Sequence, residues 1–146
     1  MKKYVFLTII AMAVLFAGCE SKKSARYSDL PQQSQTFLEM HFGNIAVRAV
    51  IKEKDDLTTT WKVYLENGWE LDFLKNGEWD EVDCKFSPVP ASVLALIPES
   101  IVNYSVTNFP ATAIVEINKE NYGYEIGLSN DLDLKFNAQG KFLKID

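Results

Sequence analysis

The sequence predicts an α+β protein made of two tandem αβ4 repeats, with helices packed on one face of antiparallel meander sheets. Three observations predict it: an internal duplication, alternating apolar runs divided by Asn-Gly-type turns, and a segment with helical apolar spacing ahead of each set of runs. At a shift of 67 positions Phe37 falls on Tyr104, Phe42 on Phe109, Val47 on Ile114 and Val50 on Ile117. Dropping four residues after Glu53 changes the shift to 63, and Trp61 then meets Tyr124, Val63 meets Ile126, Leu71 meets Leu134 and Phe73 meets Phe136. What repeats is apolar spacing and turn residues, the mark of a duplicated fold unit. No catalytic group repeats with it.

Residues 1–18 read as a leader. Lys2-Lys3 precedes an apolar run over 5–16, shorter than the about 20 residues a membrane-spanning helix needs, and so fits a secretory signal. Ala17-Gly18-Cys19 closes it and resembles a bacterial lipoprotein signal, which makes Cys19 the lipidation site. Residues 19–29, polar and unpatterned, read as a tether. The first repeat spans 30–83, a linker with a short helix 84–96, and the second repeat 97–146.

Pro31 follows Ser28-Asp29, and Pro is tolerated in a first helical turn, so a helix is predicted over 32–41, with Gly43 as its cap. Strands are predicted over 45–54, 58–66, 69–73 and 78–83. Asn67-Gly68 between alternating runs is a strong hairpin signal. In the second half Pro98 should break the helical spacing, leaving a short helix over 92–96 and a longer one over 98–108. Strands follow over 112–120, 122–129, 132–137 and 141–145. The turns between strands are too short for parallel crossovers, so each set is a meander. One face of each is apolar and needs the helix as cover. The other is polar and can stay in water. It carries Lys62, Tyr64, Glu66, Glu70 and Asp72, then Glu125, Asp133 and Lys135, the candidate binding face.

Composition narrows the function. The 146 residues carry a net charge of −5, and losing residues 1–18 would remove two lysines and no acid. Such acidity argues against nucleic-acid binding, which needs clustered Lys and Arg. With Cys19 acylated, Cys84 is the only thiol, so no internal disulfide is expected.

No cofactor, metal or catalytic group is expected. His41 is the sole histidine and Cys84 has no paired motif, which leaves no zinc-ligand set; a histidine favoured by the helix dipole accounts for it. No Gly-x-Ser-x-Gly segment frames a nucleophile. Glu70 and Asp72, two apart on a strand, read as a solvated face. Asn130, Asp131 and Asp133 lack the twelve-residue calcium loop and read as a hairpin turn. Trp61, Trp69 and Trp79 match apolar Tyr124, Leu132 and Phe142 in the second repeat, which marks core. Tyr64 matches Gly127 and sits among charges, where it could anchor an interface.

The order Leu30-Pro31, Phe42, Leu65-Glu66-Asn67-Gly68, Leu71-Asp72-Phe73, Gly77-Glu78-Trp79 and Asp83 resembles the β-lactamase-inhibitor-like, PepSY-like family of exported bacterial proteins. Ile97-Pro98, Phe109-Pro110, Leu128-Ser129-Asn130-Asp131, Leu134-Lys135-Phe136 and Gly140-Lys141-Phe142 repeat the order. The resemblance implies tandem helix-on-sheet units and a non-catalytic envelope protein. It lies in scaffold positions and carries over no inhibitor contact residue, so β-lactamase inhibition itself is not expected. The function expected is a monomeric lipoprotein that binds another envelope protein through its open sheet face. The alternative is a small-ligand or envelope-stress sensor using the cleft between the repeats. Glu20 is followed by Ser21-Lys22-Lys23 and not by an acidic run, which in this group of bacteria implies the periplasmic face of the outer membrane.

Overall fold

A computed structural model describes residues 20–146; the leader and Cys19 lie outside the described residues. Nine antiparallel strands form one sheet whose spatial order is the chain order. The first, β1 (Ser21–Ala25), falls where the sequence predicts an unpatterned tether. It pairs along β2 (Val47–Lys54) from Ser21↔Lys54 to Ala25↔Val50. Its polar residues give no apolar alternation to read, because as an edge strand it is exposed along most of its length.

A 3-10 turn (Tyr27–Asp29) leads into helix α1 (Gln32–Phe42). Ser34, Leu38 and Phe42 recur every fourth residue and form its buried stripe. Gly43 ends the helix at φ −60, not in the left-handed region. A glycine is required there for space: a Cβ would collide with the carbonyl oxygen of Glu39. Then come β2, β3 (Thr59–Leu65), β4 (Glu70–Leu74) and β5 (Trp79–Asp83), followed by a short helix α2 (Ala91–Leu94) and helix α3 (Glu99–Asn108). β6 (Ile114–Glu120), β7 (Gly123–Leu128), β8 (Asp133–Asn137) and β9 (Phe142–Ile145) complete the sheet. Every one of these elements falls within a few residues of its predicted span.

Both helices meet the sheet through aromatic rings. Phe37 lies edge-on to Phe73 at 5.7 Å and stacked with Trp79 at 5.8 Å. Tyr104 lies edge-on to Phe136 at 5.5 Å and stacked with Phe142 at 4.4 Å. Each helix also donates one hydroxyl hydrogen bond to a turn carbonyl: Ser34 to Gly77 at 3.0 Å and Ser100 to Gly140 at 2.9 Å. Trp61 and Trp79 are buried and Trp69 packs against the same cluster. That cluster runs unbroken through Val82, Cys84, Val93 and Ile117, so one core serves the whole sheet.

Four hairpins share one geometry. In each, a backbone turn closes on a residue in the left-handed region, Gly68 at φ 89, Gly77 at 94, Asp131 at 64 and Gly140 at 81. Bulges break the register where Arg48, Asp80, Val115 and Leu143 are inserted. They put Val47 and Val50, Trp79 and Val82, and Ile114 and Ile117 on one face at a spacing of three instead of two.

Candidate functional site

The helices cover one face of the sheet and leave the other open. Strand register lays the open face out in two rows. One runs Lys62, Asp72, Glu81, Asn118, Glu125, Lys135, Lys144. The other runs Tyr64, Glu70, Asp83, Glu116, Gly127, Asp133. Seven of the eight residues expected on the binding face lie in these rows. Glu66 does not: β3 ends at Leu65, and Glu66 is exposed in the following turn, its amide donating to Ala46. Tyr64 is half-buried, with the Arg48 guanidinium 5.9 Å from its ring.

The register pairs some of these charges. Lys62 bonds Asp72 at 2.7 Å, and Lys135 bonds Glu125 at 3.3 Å. Lys85 reaches across to Asp83 at 2.6 Å and Glu70 at 3.0 Å. Among the described residues no cation pairs with Glu81, Glu116 or Asp133. Glu116 only accepts from the Asn118 amide at 2.7 Å. Burial pushes the Glu81 carboxyl up to about 7, helped by the charges of Asp72 and Glu116 and opposed by Lys62. Burial also raises Asp72, Glu116 and Asp133 above the usual carboxylate range. The centre of the open face is therefore a field of half-buried acids short of cations.

Glu81, Asp83, Glu116, Lys85 and Phe86 are not among the residues the sequence places on the binding face. The inserted Asp80 is the reason for Glu81: it breaks the alternation of β5, so period-two counting cannot assign a face. Gly127 is a dip in the second row. A Cβ there would lie 2.9 Å from the Glu116 Cβ, 3.3 Å from its Oε2 and 3.6 Å from Asp133 Oδ1. Beside the dip a cleft of about 200 Å³ is lined by Lys85, Phe86, Glu116, Ser129 and Asp133. Phe86 is 88% exposed, held by the Cys84–Ser87 turn and by Lys85 at φ 58. The signal for Phe86 is its lack of an apolar partner in either repeat pattern.

The other sequence candidates are structural. His41 lies in the last turn of α1, with Nδ1 2.8 Å from the Ser92 hydroxyl and its ring 4.6 Å from Phe37. Burial holds its imidazole below the ordinary histidine range. Cys84 is fully buried and its thiol is pushed up to about 12, which leaves it unreactive. Asn130 accepts from the Leu132 amide across its hairpin, as Asn67 and Asn76 do in theirs. Among the described residues no group of three metal-ligating side chains converges, and no helix is long and apolar enough to cross a membrane.

The described residues thus form one open antiparallel sheet of nine strands with helices packed on one face. The chain belongs to the beta-lactamase-inhibitor-like, PepSY-like family, which matches residues 59–144. Solved structures agree over nearly the whole fold. A proposed calcium-regulated periplasmic protein of Bacteroides thetaiotaomicron is 35% identical, with a TM-score of 0.80 over 86% of this chain and 96% of that one. A proposed periplasmic protein of Bacteroides vulgatus is 36% identical, TM-score 0.80, over 88% and 99%. Another from that species, of unknown function, is 34% identical, TM-score 0.80, over 86% and 99%. Comparison with curated proteins gives no match.

Proposed function

We propose that this chain is a non-catalytic envelope lipoprotein, anchored through Cys19 on the periplasmic side of the outer membrane, that binds another protein through the open face of its sheet. The observation that carries the reading is that, among the described residues, no cation pairs with Glu81 and Glu116 on the central strands β5 and β6, nor with Asp133 on β8. Half-buried carboxylates without cations cost folding stability, and sites that sacrifice stability are characteristic of function. A partner presenting Lys or Arg supplies the missing charge. Tyr64 and Phe86 offer aromatic anchors beside it. Nine strands in one continuous sheet give that face its width.

The anchor rests on Ala17-Gly18-Cys19 after the apolar run, and the periplasmic placement is in keeping with how the relatives are described. The small-ligand reading is weaker, because β5 pairs directly with β6 and the sheet is continuous where a cleft between repeats was expected. The calcium regulation proposed for one relative suggests a second role for the same acids. With no ligand trio assembled among the described residues, calcium would act here as a counter-ion, and magnesium should serve equally well.

The reading is tested by affinity capture from envelope extract with wild type and a Glu81→Lys/Glu116→Lys variant. A protein retained by wild type in low salt, released by salt and lost with the variant is expected. Equal capture by both would contradict the reading.

A further inference from the structure

Lipoproteins that work at a distance from the membrane need a free tether, and this chain has almost none. β1 begins at Ser21 and is paired with β2 from its first residue. Only Glu20 stands between Cys19 and the sheet, so covalent geometry limits the two Cα atoms of Cys19 and Ser21 to at most about 7 Å apart. Ser21 pairs with Lys54, the last residue of β2, so the β2–β3 turn is the neighbouring feature of the fold. Asp55 shapes that turn by accepting from the Leu57 amide at 2.8 Å and the Thr58 amide at 2.6 Å. Leu57 projects from it 94% exposed, with no fold contact to explain a leucine there. This turn is also where the two halves differ in length. The counterpart between β6 and β7 closes directly at Glu120↔Gly123, four residues shorter.

We infer that acylation of Cys19 seats this corner of the sheet on the bilayer, with Leu57 inserted at the boundary between headgroups and acyl chains. The inference rests on the lipoprotein reading above and adds to it an orientation. The occupant is the membrane that holds the anchor, because a chain this short cannot carry the β2–β3 turn away from it. The surrounding charges are mixed, Lys22, Lys23 and Lys54 against Glu20, Asp55 and Asp56, which suits zwitterionic lipid. Covalent tethering supplies the high local concentration that a single leucine could not reach alone. The protein is thereby held flat at one edge instead of swinging on a flexible leash.

The test uses the acylated full protein, purified from membranes and reconstituted in phosphatidylethanolamine–phosphatidylcholine vesicles containing a doxyl-labelled phosphatidylcholine quencher. Leu57→Cys and, as a control on α3, Val106→Cys carry an environment-sensitive fluorophore; Val106 is 63% exposed and Cys84 is buried. Quenching at position 57 should exceed that at 106 several-fold, with a blue-shifted emission. A flexible insert of about ten Gly and Ser residues between Glu20 and Ser21 should reduce it towards the control. Equal, water-like signals at both positions in protein whose mass shows the acyl chains would overturn the orientation while leaving the anchor intact. A mature protein whose mass shows no acyl chains removes the anchor and this inference together.

Discussion

Glu81 shows at the scale of one residue how the open face trades stability for charge. Its carboxyl is raised to about 7 from an ordinary value of 4.5, so between those values the folded state holds a proton that the unfolded chain releases. The stabilisation is full below about pH 4.5 and is lost as pH rises through 7. Asp72 on β4, Glu116 on β6 and Asp83 on its own strand push in the same direction, and Lys62 on β3 opposes them. Glu81→Gln should therefore remove much of the fall in stability across that window and raise stability at pH 8 by roughly 2 kcal/mol. Urea titrations at several pH values check it, and an unchanged pH slope would count against the assignment. Phe86, almost wholly exposed, should behave in the opposite way. Phe86→Ala should leave stability within about 0.5 kcal/mol yet weaken capture of the partner. A large loss of melting temperature would mean that it packs somewhere.

Among elements, the hairpins were legible and the bulges were not. Asn67-Gly68, Asn76-Gly77 and Asn130-Asp131 announce themselves because the Asn side chains accept from backbone amides two residues on and Gly or Asp enters the left-handed region; Gln139-Gly140 does so through its glycine. An inserted residue such as Asp80 or Arg48 has no chemical mark. It is invisible to period-two counting, and with it went the face of Glu81. β1 was missed for a related reason: a polar edge strand buries nothing, and its pairing depends on a partner edge that no local pattern shows. The turn chemistry also yields a prediction. Asp131 is the one non-glycine at the left-handed position of the four hairpins, so Asp131→Gly should stabilise by about 0.5–1 kcal/mol. Thermal denaturation of the single variant decides it, and a loss of stability would show that the Asp131 side chain contributes more than its strain costs.

For the whole molecule, the internal repeat predicts two units, while the pairing of β5 with β6 and the shared core make one continuous sheet over one core. All three tryptophans lie before the junction, while far-ultraviolet circular dichroism reports both halves. The two signals should lose structure in one coincident transition. Phe136→Ala, remote from every tryptophan, should shift both signals alike through the loss of a fully buried ring, about 3–5 kcal/mol. Separate transitions would mean that the halves fold independently.

What such a joined sheet is for depends on which of its faces meets a partner. The most direct measurement is site-specific photocrosslinking in the native envelope, with the crosslinker placed in turn at Asn118 on the open face and at Val106 on α3. Binding through the open face predicts one discrete crosslinked protein from Asn118, lost on Glu81→Lys/Glu116→Lys, and none from Val106. A discrete product from Val106 and silence at Asn118 would contradict it.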